Sequence, residues 1–213
     1  ITLRLEIWCQ MEHDPSLVQP SPAPDERELM RSDAAKRRQA IIREARRLFA
    51  AEGSDVALEH IAEAAGVGIA TLYRNFDSRA ALADEVSLSI LGEIQDAADE
   101  ALDLIGSAPD TAWVDFVHRL VGLDLGALAA ALADFVADEI SGPVRDSQTR
   151  TLAEVEKLLA AARSEGLVRP DLGALEFVLA IGMITRPQPD AIRQATPGLV
   201  PQLVSIFLAG MRP

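Results

Sequence analysis

Cysteine is all but missing. Cys9 stands alone, so no intrachain disulfide framework is possible and a reducing, cytoplasmic setting is expected. Aromatic residues make up only 4% of the chain and β-branched runs are short, which leaves little from which to build a sheet. The one strand-like stretch alternates Ile1, Leu3, Leu5 and Ile7 with Thr2, Arg4, Glu6 and Trp8, and is read as incidental. Long apolar runs are lacking too. The most apolar region, 127–136, contains Asp134 and lies between Asp124 and Asp138, too short and too charged to span a bilayer. The first residues have no basic end, apolar core and small-residue cleavage site, so no secretory signal is expected. His13, His60 and His118 are far apart and form no set at ligand spacing, so neither a metal nor another cofactor is expected. No Gly-x-Ser-x-Gly occurs. Gly66-Val67-Gly68 lacks the third glycine of a dinucleotide fingerprint and follows a helical pattern, so it is a turn. No catalytic residue is assigned, and an enzyme is not expected.

What the chain has is alanine, leucine and helical spacing, which predict an all-α fold. The stretch from Leu58 to Phe76 organises the rest. Leu58, Ile61, Ala62 and Ala65 fall at i, i+3, i+4 and i+7, one apolar stripe on a two-turn helix. Gly66 supplies the left-handed turn that ends it. In the second short helix Leu72 and Phe76 pack inward, leaving Ala70, Thr71, Arg74 and Asn75 on a polar outer side. Such a slim, polar face can enter the major groove of B-DNA and reach base edges.

The run IAEAAGVGIATLYRNFDSRAAL, Ile61 to Leu82, resembles the DNA-binding domain of the tetracycline-repressor (TetR) family. With the upstream helix Ser32 to Glu52 the likeness covers about a quarter of the chain. There are departures. Gly68 stands where the family often has Ser, Asn75 where it often has His, and Arg79 where it usually has Lys. Ala57 replaces the usual Thr or Ser cap, worth about 1 kcal/mol, with Asp55 or Ser54 as candidates to compensate. The resemblance implies a sequence-specific regulator bound to double-stranded DNA. Thr71 and Asn75 are then assigned to base edges, Ala70 to a thymine methyl, and Arg74 to guanine or phosphate. Gly68 opens the recognition helix. Tyr73 and Arg79 are assigned to backbone phosphates, with Lys36 and Arg46 beside them; Tyr73 has half-buried packing as its other reading.

A net charge of −13 looks wrong for such a protein until it is located along the chain. From Arg31 to Arg47 the local charge is +5, and the remainder carries −18. A short basic element holds phosphates while an acidic body discourages non-specific binding; a plain solvated helix face is the other reading.

Three regions are expected: an extended or disordered arm at 1–30, rich in proline from Pro15 to Pro24; a helix-turn-helix domain at 31–77; and a helical effector-binding and dimerisation domain at 78–213. A long helix capped by Asp77 or Ser78 runs to Ile105, and further helices are expected around Trp113 to Leu120, at Leu125–Ile140, Arg145–Glu165, Leu172–Thr185 and Pro197–Gly210. Thr196-Pro197 reads as the cap and first turn of the last of these. That last helix is apolar nearly all round and needs a cover. The resemblance implies a homodimer through the last two helices, reading a palindrome; a terminal helix buried in a monomer is the alternative. It also implies a core cavity for a small-molecule effector of unknown identity. Trp113, Phe116, Val117, Leu120, Phe135, Phe177 and Met183 are its candidate lining, with His118 as a polar handle. The expected function is a ligand-released repressor. The alternative is a helical ligand-binding or scaffolding protein that has lost DNA binding.

Overall fold

In the computed structural model the described residues are 26–136 and 140–213, the side chains of 26–28, 30 and 133–136 excepted. The strand-like stretch at 1–8, Cys9, His13 and the proline-rich residues up to Asp25 lie outside them. Every regular element among the described residues is a helix. No helix among them is long and apolar enough to cross a membrane. Contacts divide the chain into two compact units, Ile1–Lys36 and Arg37–Pro213. The expected boundary at 77/78 falls inside the second.

Helix α1, Glu26–Glu52, starts six residues before the expected Ser32, so 26–30 are helical where an extended arm was expected. Ile41, Ala45, Leu48 and Phe49 form its buried stripe, and Gly53 ends it at φ +90°. Helix α2, Leu58–Ala64, closes at Gly66, φ +68°, through paired bonds: Gly66 N–H donates to the Glu63 carbonyl and Val67 N–H to that of Ala62, each at 3.0 Å. This left-handed closure reverses the chain within two residues and launches α3, Ile69–Asn75. Neither Ala57 before α2 nor Gly68 before α3 gives a side-chain cap.

Helix α4, Arg79–Ile105, is capped by Ser78, whose hydroxyl accepts from Ala81 N–H at 3.0 Å. Leu82, Val86, Ile90, Ile94, Ala98, Ala101 and Ile105 are all buried, as their spacing predicts. Against it pack α5, Pro109–Gly122, and α7, Gly142–Ser164. Pro109 and Pro143 open these helices, because a first-turn residue has no intrahelical partner for its N–H. Between α4 and α7 the Gln95 amide donates to Thr151 Oγ1 at 2.6 Å, which satisfies polar groups that would otherwise be costly to bury.

Helix α6, Leu125–Val136, packs on α8, Ala174–Ile184. Two expectations for the C-terminal region are corrected. A short helix, α9 at Asp190–Ala195, fills the proline-bounded break. Thr196 closes α9, its hydroxyl donating to the Ile192 carbonyl at 2.7 Å, so it does not cap the last helix; α10, Leu199–Gly210, follows Gly198 instead. Trp113, Phe116, Phe177 and Phe207 meet with ring centroids 5.4–6.1 Å apart, bringing α5, α8 and α10 together.

Candidate nucleic-acid interface and core cavity

Because α3 has only seven residues, few side chains can face outward, and Leu72 and Phe76 take the inward positions. Gly68, Ala70, Tyr73 and Arg74 are exposed, while Thr71 and Asn75 are half-buried at the flank. Tyr73 is 49% exposed, so it is no core residue. The Asn75 amide donates to the Thr71 carbonyl at 2.8 Å, which folds that side chain back along its own helix. One amide hydrogen and the carbonyl oxygen remain for a partner.

The end of α3 is held by a residue to which sequence reasoning gave no role. Arg38 of α1 donates to the Asn75 carbonyl at 3.2 Å, pairs with Glu85 of α4 at 2.7 Å and lies 4.5 Å over the Phe76 ring. A guanidinium can satisfy an orphan C-terminal carbonyl, an anion and an aromatic face together because its donors fan out in one plane. The signal was faint. Arg38 lies one turn before buried Ile42, so it faces inward.

The expected phosphate contacts separate into two sets. Lys36 is open, its ammonium 3.9 Å from Asp33 with 76% of the side chain exposed. Arg79 is half-buried and donates to the Ser54 carbonyl at 2.8 Å, tying the start of α4 to the loop before α2. Arg46 is only 19% exposed: it pairs with Glu93 of α4 and donates to the Leu123 carbonyl at the α5–α6 corner. It therefore joins the motif's supporting helix to the core instead of standing free. Glu44 is half-buried among Arg43 and Arg47, and the hydrogen bond from Arg47 holds its carboxyl below the ordinary value, with burial opposing.

The candidate effector residues do not come together around one space. Trp113, Phe116, Val117, Leu120 and Phe177 are 0–3% exposed and pack as core. His118 is exposed, on the side of α5 away from them, so it is no interior handle. Met183 is 67% exposed on α8, and the Phe135 side chain lies outside the described residues. A cavity of about 210 Å³ instead opens between α4, α6, α7 and α8, lined by Ile90, Ile94, Leu128, Leu132, Val178, Ser87 and Gln148. Of these, sequence reasoning had placed only Ile90 and Ile94, as buried positions of α4. Among the described residues no group of His, Cys, Asp and Glu could hold a metal.

On α8 the outer face carries Leu175, Leu179 and Met183 at four-residue spacing, each more than half exposed, and α10 adds Ile206 at 60%. A contiguous apolar stripe of this kind is uncommon on a face meant for water.

Two family models match the chain. One, of bacterial regulatory proteins of the tetR family, covers residues 41–86; the other, a transcriptional regulator SbtR-like C-terminal domain, covers 108–213. Among solved structures, the TetR transcriptional regulator SCO0520 from Streptomyces coelicolor is 30% identical, with 83% of this chain and 98% of that one covered at a TM-score of 0.62. The TetR transcription regulatory protein from Mycobacterium vanbaalenii is 29% identical, covering 86% and 99%, at 0.57. No curated protein matches the chain.

Proposed function

Since the chain belongs to the TetR family of bacterial regulatory proteins, we propose that it is a homodimeric transcriptional repressor released from a palindromic operator by a small molecule. The observation that carries this reading is the outer face of α3. It offers Ala70, Thr71, Tyr73 and Arg74 to a partner while Arg38 and the inward Leu72 and Phe76 fix the helix on its scaffold. Thr71, Asn75 and Arg74 are assigned to base edges, Ala70 to a thymine methyl, and Tyr73, Arg79 and Lys36 to phosphates. Gly68 lets the start of α3 approach the backbone closely. Arg46 is assigned to the tie between α1 and the core.

The apolar stripe of α8, with Ile206 of α10, supports pairing of two copies there. Two recognition helices about 34 Å apart then read successive major grooves. An effector that binds better to a state with altered spacing weakens operator binding, and by linkage operator weakens effector binding equally. No catalytic step belongs to this reading. The uncapped starts of α2 and α3 favour a second one, a helical ligand-binding or scaffolding protein without operator contact.

Binding of the purified protein to a pool of genomic fragments, titrated with salt, decides between them. Specific, steeply salt-dependent binding that drops in Tyr73→Ala supports the regulator. Only weak, sequence-blind binding, with and without candidate effectors, supports the second reading. Sedimentation of Leu179→Glu tests the pairing face: the variant should sediment as a monomer where the unaltered chain is a dimer.

A further inference from the structure

We propose that the cavity between α4, α6, α7 and α8 takes a compact, uncharged, largely apolar molecule with one hydrogen-bonding oxygen, which the Gln148 amide holds. The inference rests on the reading that the protein responds to a small molecule, and it names the chemistry of that molecule.

Ile90, Ile94, Leu128, Leu132 and Val178 make the walls hydrocarbon. Among the described residues no Asp, Glu, Lys, Arg or His borders the space. An ionised ligand would shed its water there and meet no counter-charge, whereas an alcohol, ketone or ether loses far less. Arg186 borders the neighbouring groove between α6 and α8 but not this cavity.

Among the described residues two polar side chains line the cavity, and one of them is uncommitted. The Ser87 hydroxyl already donates to the Ala83 carbonyl at 2.9 Å. Nearby, Gln95, Thr151 and the Ser147 carbonyl satisfy one another. Gln148 is half-buried, and its amide has no hydrogen-bond partner among the described residues. Its amide hydrogens are free to donate at the cavity wall, so a ligand oxygen that accepts from one gains a bond that a purely apolar ligand lacks. At about 210 Å³ the space is smaller than the roughly 300 Å³ at which drug-sized pockets begin, so the ligand is compact.

The test uses the full-length protein and N-phenyl-1-naphthylamine, an uncharged dye that fluoresces in apolar surroundings. Competitors are heptan-1-ol and heptanoate, which share a chain length and differ in charge at about pH 8. The expected result is saturable dye binding, displaced by heptan-1-ol at about one-tenth of the heptanoate concentration or less. Gln148→Leu should raise the heptan-1-ol requirement about tenfold while leaving the dye's own affinity nearly unchanged. Ala129→Phe, at the exposed rim, should weaken dye and alcohol alike. Displacement by heptanoate as effective as by heptan-1-ol would overturn the proposal. So would an alcohol requirement unmoved by Gln148→Leu, dye binding indifferent to Ala129→Phe, or no saturable binding. Footprinting of the same preparation separates the two readings. Specific DNA protection without dye binding sinks only the ligand assignment, and dye binding without DNA protection sinks only the regulator.

Discussion

The backbone N–H of Gly126 donates to the hydroxyl of Thr185 at 2.9 Å, and a Cβ at position 126 would lie 2.1 Å from the Gly182 carbonyl oxygen. Helices α6 and α8 thus meet backbone to backbone, beside the cavity and under the apolar stripe of α8. The clash would be with main-chain atoms, which cannot rotate away. Gly126→Ala is expected to cost about 2 kcal/mol by overpacking, and to lower the thermal midpoint by roughly 4–8 °C. Thr185→Val keeps the shape but leaves the Gly126 N–H buried and unpaired, a loss of about 1–3 kcal/mol. Circular-dichroism melts of both variants check this. A melt unchanged in Gly126→Ala would mean that the helices separate freely there.

Arg38 clamps α3 through a carbonyl, a carboxylate and a ring. The Glu85 pair is about one-third exposed on each side, so it adds little by itself, and the three contacts together are worth about 1–2 kcal/mol. Arg38→Gln should therefore lower global stability slightly, while amide exchange in α3 rises about tenfold. Exchange confined to α1 would contradict the clamp.

Salt dependence separates the two kinds of arginine. Each phosphate contact removed should flatten the dependence of log affinity on log salt by about 1. Arg74→Gln, on the exposed face of α3, is expected to show that change if Arg74 meets phosphate, or a relaxed base preference if it meets guanine. Arg46→Gln should leave the slope unaltered, because its guanidinium is committed to Glu93 and Leu123. It should destabilise the fold slightly instead, by about 0.5–1 kcal/mol, since the partly exposed Glu93 and the Leu123 carbonyl each lose a partner. A flattened slope in Arg46→Gln with normal stability would return Arg46 to the phosphates.

Acid should loosen α1 through Glu44. Arg47 donates to its carboxylate at 2.9 Å and holds its pKa below the ordinary 4.5. A carboxyl with a depressed folded pKa contributes stability that is full above the unfolded value and is lost as pH falls through the folded one. The contribution is therefore present at neutral pH and disappears below 4.5. Urea unfolding at about pH 7 and about pH 3.5 should show a smaller acid loss in Glu44→Gln than in the unaltered chain. Equal losses would show that the Arg47 pair contributes nothing.

Much of the fold was legible along the chain. The buried stripe of α4, from Leu82 to Ile105, is a single helical repeat, and Gly66 has the positive φ that the turn requires. The outer face of α3 could likewise be written from the spacing of Leu72 and Phe76. Thr196 misled because Thr-Pro fits the end of one helix as well as the start of the next, and only the hydrogen bond to Ile192 distinguishes them. The aromatic residues carry a related ambiguity: a stripe of Trp113, Phe116 and Phe177 announces burial, but burial against neighbours and burial around a ligand leave the same periodicity.

By itself the sequence determined the all-α class, the helix-turn-helix and the family, because helical period, glycine turns and the motif are local properties of neighbouring residues. Tertiary structure alone decided which helices meet. Arg38 finds a residue 37 positions away, Arg46 one 47 and another 77 away, and Gly126 one 59 away. Periodicity tells which face of each helix turns inward but not which face it will touch. The clamp on α3, the commitment of Arg46 and the place of the cavity therefore exist only where separate helices converge.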